Sequence, residues 1–301
     1  MSYVGWLHVA APPEVPSCAV EFSPVTATRG LSTSAITPVP ILGAYIYQPK
    51  VVSSVALIRR WDWDTFDNET TAYTPSGSYG VRSTSISADG SNFYWLEFIL
   101  STSERVMKAT APSFGSPTAI DTYTQGGGAD FIQYQQLLRS PTSDVSWLRY
   151  RNFTAGTQRI DTFDASTASR SNVYSVSGGT TTNMVATADG AMWWQDNNLD
   201  YWHDADGSSL TNIGNPFGTD YGLYLVPTPN NTIMTAKFAT SDDSYLGTFE
   251  LDSSGSVTAV SCDYQDVIGD PVRFIGWTPD MATIGFGGIS PDSSTHFYRW
   301  G

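Results

Sequence analysis

The 301-residue chain carries 15 Lys and Arg against 29 Asp and Glu, a net charge of −14, with 41% hydrophobic and 13% aromatic residues. The apolar fraction excludes wholesale disorder, and the acid excess argues against partners held through phosphate contacts, so nucleic acid is not expected. No stretch approaches the roughly 18–20 apolar residues that span a bilayer, and the opening MSYVGWLHVAAPPEVP lacks the basic and continuous apolar segments of a secretory signal; neither membrane insertion nor a leader is expected.

Most of the acids are Asp and most of the bases are Arg, with Lys only at 50, 108 and 237. Asp favours turns whereas Glu and Lys favour helices, and no segment sustains a 3.6-residue apolar period. Short β-branched and aromatic runs instead alternate with Gly, Pro, Asp, Asn and Ser clusters, which predicts an all-β chain. In chain order, YVGWLHVA (3–10) reads as a strand, CAVEFSP (18–24) as a second, and residues 25–40 as an extended hairpin loop. Strands are then expected in AYIYQ (44–48), VALIRRWDW (55–63) and TTAYTP (70–75).

From there one pattern recurs: apolar strand, polar turn, apolar strand. It reads STSISADGSNFYWLEF around Asp89, YQQLLRSPTSDVSWLRY around Pro141 and TNMVATADGAMWWQ around Asp189. It returns as YGLYLVPTPNNTIMTAKF around Asn230 and VRFIGWTPDMATIGFGG around Asp280. A second hairpin follows each of the first four, as in YWHDADGSSLTNI (201–213) and FELDSSGSVTAV (249–260). The spacing, roughly 40–50 residues, is that of a four-stranded propeller blade. The expectation is a single domain, 1–301, forming a six-bladed β-propeller, with five or seven blades as alternatives. Its blades would span about 17–77, 78–126, 127–176, 177–218, 219–266 and 267–301, with strand 3–10 completing the last.

The turns SADG (87–90), TADG (187–190), TPNN (228–231) and TPDM (278–281) resemble the S-P-D-G hairpin of TolB-like and WD40-like propellers. The resemblance implies a turn capped by the Asp or Asn side chain, with Gly supplying positive φ. It describes a hairpin and assigns no activity.

Candidate chemistry is sparse. The histidines are His8, His203 and His296, and no G-x-S-x-G elbow accompanies them, so a Ser-His-Asp site is not expected. Asp196, Asn198 and Asp200 alternate as calcium ligands do, but Tyr201 and Gly207 stand where an EF-hand needs Gly and Glu; turn capping is the preferred reading. Cys18 and Cys262 fit no metal spacing and could pair only if the chain ends meet. Arg59, Arg60, Arg149, Arg151 and Arg273 could bind a carboxylate only by converging from different blades. Adjacent aromatics such as Tyr94/Trp95 and Trp193/Trp194 must face opposite sheet surfaces, which suits packing between blades.

No catalytic residue, metal site or cofactor is therefore expected. The favoured function is a non-catalytic structural or adhesion component of a virus particle, such as a phage tail, spike or capsid-surface protein located on the virion, with extracellular placement as the alternative. Its partners would be other assembly proteins or further copies of itself, and a host-surface glycan is a further candidate. Segments 11–16 and 25–40 are candidates for reaching a neighbouring subunit. A glycan-binding propeller and a glycoside hydrolase with a central-channel site are the alternatives.

Overall fold

A computed structural model places 24 β-strands among the described residues. It describes residues 23–25, 39–63, 68–125, 131–179, 181, 184–196, 198, 200–215, 221–227, 233–238, 244–251, 257–263, 273–277, 284–289 and 295–300. Side chains are described for 40–63 and for most residues from 68 to 215, and beyond them for Leu225. Among the described residues no helix is long and apolar enough to cross a membrane.

Strand identity follows the residue pattern. Tyr45–Val52 (β3), Val55–Asp62 (β4) and Thr70–Tyr73 (β5) occupy the aromatic and β-branched runs predicted as strands. With Val39–Leu42 (β2) they form a blade in the order β2-β3-β4-β5. Gly80–Ile86 (β6), Asn92–Ile99 (β7), Ser103–Thr110 (β8) and Gly115–Thr124 (β9) make the second. Ile132–Arg139 (β10), Ser146–Asn152 (β11), Thr157–Phe163 (β12) and Arg170–Ser177 (β13) make the third. The fourth comprises Val185–Ala186 (β14), Met192–Gln195 (β15), Tyr201–Asp204 (β16) and Leu210–Gly214 (β17). Within each blade the strands meander antiparallel. The architecture is an all-β propeller.

Four blades are thus described through their side chains, against the six expected from the repeat. A further four-stranded sheet comprises Tyr221–Pro227 (β18), Ile233–Phe238 (β19), Ser244–Leu251 (β20) and Val257–Asp263 (β21). Arg273–Trp277 (β22), Ile284–Ile289 (β23) and Thr295–Trp300 (β24) continue the β2 sheet through a parallel pairing of Val39 and Pro40 with Gly276 and Trp277.

The N-terminal reading needs correction. Ser23–Val25 (β1) pairs antiparallel with Phe297–Arg299 of β24, so the end of segment 18–24 runs along the last strand and not inside the first blade. The first blade's own inner strand is Val39–Leu42, within and just past the stretch expected as loop. Residues 3–10, 11–16 and 26–38 lie outside the described residues.

The core lies between blades, and the alternation of strand side chains builds it. Phe93 and Trp95 of β7 point to the first blade, packing with Tyr47, Ile58 and Phe114. Tyr94 and Leu96 point to the third, packing with Tyr134, Leu137, Leu148 and Tyr150. Adjacent aromatics therefore serve two interfaces, as their alternation requires. Phe93 and Phe114 stack with ring centroids 4.5 Å apart. Burying each such ring stabilises the fold by about 2–3 kcal/mol.

The hairpin turns obey the predicted chemistry. Asp89 Oδ1 accepts from Ser91 N at 3.0 Å and Ser87 Oγ at 2.6 Å, which holds its carboxyl down at about 2. Asp189 Oδ1 repeats the arrangement with Ala191 N and Thr187 Oγ. Gly190 has φ +94, and a Cβ there would lie 2.0 Å from Thr142 Oγ1 of the neighbouring blade. Both backbone and space demand glycine.

Candidate functional site

Buried carboxylates are the first chemistry to place. Glu97 is fully buried; its Oε1 accepts from Trp95 Nε1 at 2.7 Å and from Tyr73 OH of the first blade at 2.8 Å. Its Oε2 accepts from Arg105 Nε at 2.8 Å. Asp161 Oδ2 accepts from Tyr150 OH at 2.9 Å, and Asp204 Oδ2 from Trp147 Nε1 at 2.8 Å. Glu97 and Asp204 thus join neighbouring blades, whereas the Asp161 bond lies within the third.

Glu104 has a different balance. It is 2% exposed, and Arg82 Nη1 reaches both its oxygens at 3.0 and 3.1 Å. Burial outweighs that arginine and pushes the carboxyl up from 4.5 to about 7. The folded state therefore holds this proton more tightly than the unfolded chain does. Stability from this group is fully present below pH 4.5 and is lost as pH rises through about 7. Denaturation of wild type and Glu104→Gln at pH 5 and 8 should show wild type losing on the order of 2 kcal/mol more than the variant over that interval.

Asp196 Oδ1 accepts from the backbone N–H of Asn198 at 2.8 Å and Asp200 at 3.2 Å; Oδ2 accepts from Trp202 Nε1 at 3.0 Å and Tyr174 OH at 3.1 Å. Asp196 is thus a turn cap with both oxygens occupied. Among the described residues no group of three or more His, Cys, Asp or Glu is placed to hold a metal ion. His203 lies against Trp193 with centroids 4.5 Å apart, and burial pushes its pKa down, so it is neutral at pH 7. Asp204 beside it is committed to Trp147 and to the turn N–H groups of Gly207 and Ser209. The side chains of His8, His296, Cys18, Cys262 and Arg273 lie outside the described residues.

Among the described residues, Arg59, Arg60, Arg149 and Arg151 do not converge. Arg59 pairs with Glu69, and Arg60 donates to Thr70 Oγ1 on the same blade. Arg149, lowered by burial to about 10, donates to the Thr181 carbonyl at 2.7 Å. Arg151 lies over the Phe153 ring at 4.6 Å.

Two surface features remain, at opposite ends of the blades. In an antiparallel four-stranded blade, the first and third turns emerge at one end and the second turn at the other. The large hydrophobic side chains exposed among the described residues are Val51 (67%), Val55 (48%), Leu100 (68%) and Phe153 (40%). All four sit at second turns: β3–β4, β7–β8 and β11–β12 of three consecutive blades. Phe131 packs beside Phe153 with ring centroids 4.8 Å apart and the planes tilted by 38°. Sequence reasoning missed this rim because each tip contributes only one or two apolar residues.

At the other end a cavity of about 240 Å³ opens between the second and third blades. It is lined by Tyr94, Lys108, Arg139, Asp144, Asp164, Ala165 and Ser166. The Arg139 guanidinium lies 4.9 Å from the Tyr94 ring centroid, and the Lys108 ammonium 5.7 Å.

No protein-family model matches the chain, and no curated protein sequence matches it. Solved structures do. TolB from Acinetobacter baumannii superposes with a TM-score of 0.54 at 13% identity over 85% of this chain, which spans 62% of TolB. An oligogalacturonate lyase from Vibrio parahaemolyticus gives 0.56 at 11% identity, covering 85% of this chain and 74% of the lyase. A protein from Lactobacillus plantarum gives 0.52 at 14%, covering 85% and 78%. The β-propeller fold is common to all of them. That likeness extends to a lyase and to TolB alike, and fold alone assigns no activity.

Proposed function

We propose that the chain is a non-catalytic propeller that presents its apolar-tipped end for protein–protein contact within an assembly of its own copies or neighbouring proteins. The observation that carries the reading is the confinement of Val51, Val55, Leu100 and Phe153 to one end of three successive blades. Scattered exposed apolar residues need no explanation, whereas a rim of them on one end marks a contact surface. Engagement of Glu97, Asp161, Asp196 and Asp204 as acceptors inside the blades supports a structural use of the acids. The particle context read from the sequence, a virion surface, is part of the proposal.

Six blades, the last closed by β1, is the architecture proposed for the whole chain. Its support is the succession of neighbouring inner strands β2, β6, β10, β14, β18 and β22, together with the parallel β2–β22 pairing. The β1–β24 ladder supports closure by an N-terminal strand.

Native mass spectrometry of the untagged chain tests the contact. The expected result is an oligomer that a Val51→Ser, Val55→Ser, Leu100→Ser, Phe153→Ser variant weakens at least a hundredfold, since each tip contributes on the order of 1 kcal/mol. A monomer that also fails to join any particle carrying the gene product would overturn the proposal.

A further inference from the structure

We infer that the cavity between the second and third blades binds a small hydroxylated carboxylate of monosaccharide size. The blade register shows why this gap differs from the next. Tyr94 pairs across β7–β8 with Lys108, and Arg139 ends the next blade's inner strand. The matching positions one blade on are Trp147, its cross-strand partner Thr162, and Ala186. The aromatic is retained while both cations are replaced by uncharged residues. Packing between blades accounts for the aromatic but not for the cations.

Arg139 carries the second observation. It is 3% exposed, and its Nη atoms donate to the Asp144 carbonyl at 2.7 Å, Ser146 Oγ at 2.5 Å and Asp144 Oδ1 at 3.0 Å. Its buried Nε has no hydrogen-bond partner. A buried donor without an acceptor is destabilising. Lys108 makes no ion pair among the described residues, and its ammonium stands on the same Tyr94 ring. Two cations line one cavity, one of them without an ion pair among the described residues, and that arrangement suits an anion.

The acids at the rim restrict which anion. Asp144 is fully exposed with one oxygen turned to Arg139. Asp164 is held ionised by its own turn, through Ser166 N at 2.7 Å, Ser166 Oγ at 2.6 Å and Thr167 Oγ1 at 2.8 Å. Two carboxylates beside the cavity repel a doubly charged phosphate. They accept hydrogen bonds from hydroxyl groups on a singly charged ligand whose carboxylate faces Lys108 and Arg139. The volume, about 240 Å³, is below that of pockets for drug-sized molecules and suits one sugar ring. The site lies at the end opposite the apolar rim, so it stands independently of the contact proposed there.

Calorimetric titration of the full chain with D-glucuronate, D-gluconate, D-glucose and inorganic phosphate tests the inference. At least one of the two carboxylates should bind, with glucose and phosphate at least tenfold weaker. Lys108→Met should weaken that carboxylate roughly tenfold or more with an unchanged melting temperature, and Lys108→Arg should restore it. Phosphate or glucose binding as well as the carboxylates, no carboxylate binding up to about 10 mM, or indifference to Lys108→Met would each overturn it.

Discussion

Replacing Glu97 with alanine is expected to lower stability by about 3–5 kcal/mol, the largest effect of any single substitution considered for this chain. The carboxylate is fully buried and accepts from Trp95, Tyr73 and Arg105. Its removal leaves a guanidinium only partly in contact with water, together with a buried indole N–H and a tyrosine hydroxyl whose partner is lost. Tyr73 belongs to the first blade and Glu97 to the second, so the loss falls on the joint between them. Glu97→Gln keeps the shape and one acceptor oxygen but removes the charge facing Arg105, so an intermediate cost of about 2 kcal/mol is expected. Urea denaturation followed by tryptophan fluorescence measures both. A change below about 1 kcal/mol for Glu97→Ala would mean that the acid does not hold the blades.

The second large effect is expected at Asp204, on the joint between the third and fourth blades. Asp204 is fully buried; one oxygen accepts from Trp147 Nε1 across the interface, and the other caps the turn through Gly207 and Ser209. Alanine abolishes both functions, one worth a cap and the other a buried hydrogen bond, for a total of about 2–4 kcal/mol. The double variant Asp204→Ala, Trp147→Phe should cost less than the two single changes added together, because Trp147→Phe removes the donor that Asp204→Ala strands. Strict additivity in the same denaturation measurement would show that the two side chains do not depend on each other.

These two acids show what was legible in the sequence. The sequence marks YWHDADGSSLTNI (201–213) as a hairpin, and Asp204 Oδ1 caps its turn. Its other oxygen meets a tryptophan from a different blade, and no local pattern announces a partner at that separation. The same divide runs through the fold. Strands with strong β-branched and aromatic runs, such as Asn92–Ile99, stand where the residues place them. The first inner strand did not, because Val39–Leu42 is short, contains Pro40 and is defined by long-range pairing with Arg273–Trp277. The cavity was illegible for a related reason: Lys108 and Arg139 meet only across a blade interface. The available signal was Arg139 itself, a charge at the strand position held by Ile86 in the preceding blade and Ala186 in the following one.

The end of the propeller that bears Val51, Val55, Leu100 and Phe153 is its proposed contact surface. Hydrogen–deuterium exchange of the assembled and the dilute, dissociated protein locates that surface. Amides at 51–55, 99–103 and 152–157 should gain protection on assembly, while the turns at 87–90, 140–145 and 187–190 at the other end should exchange at the same rate in both states. Protection at the opposite turns, or no difference between the two states at either end, would overturn the proposed contact surface.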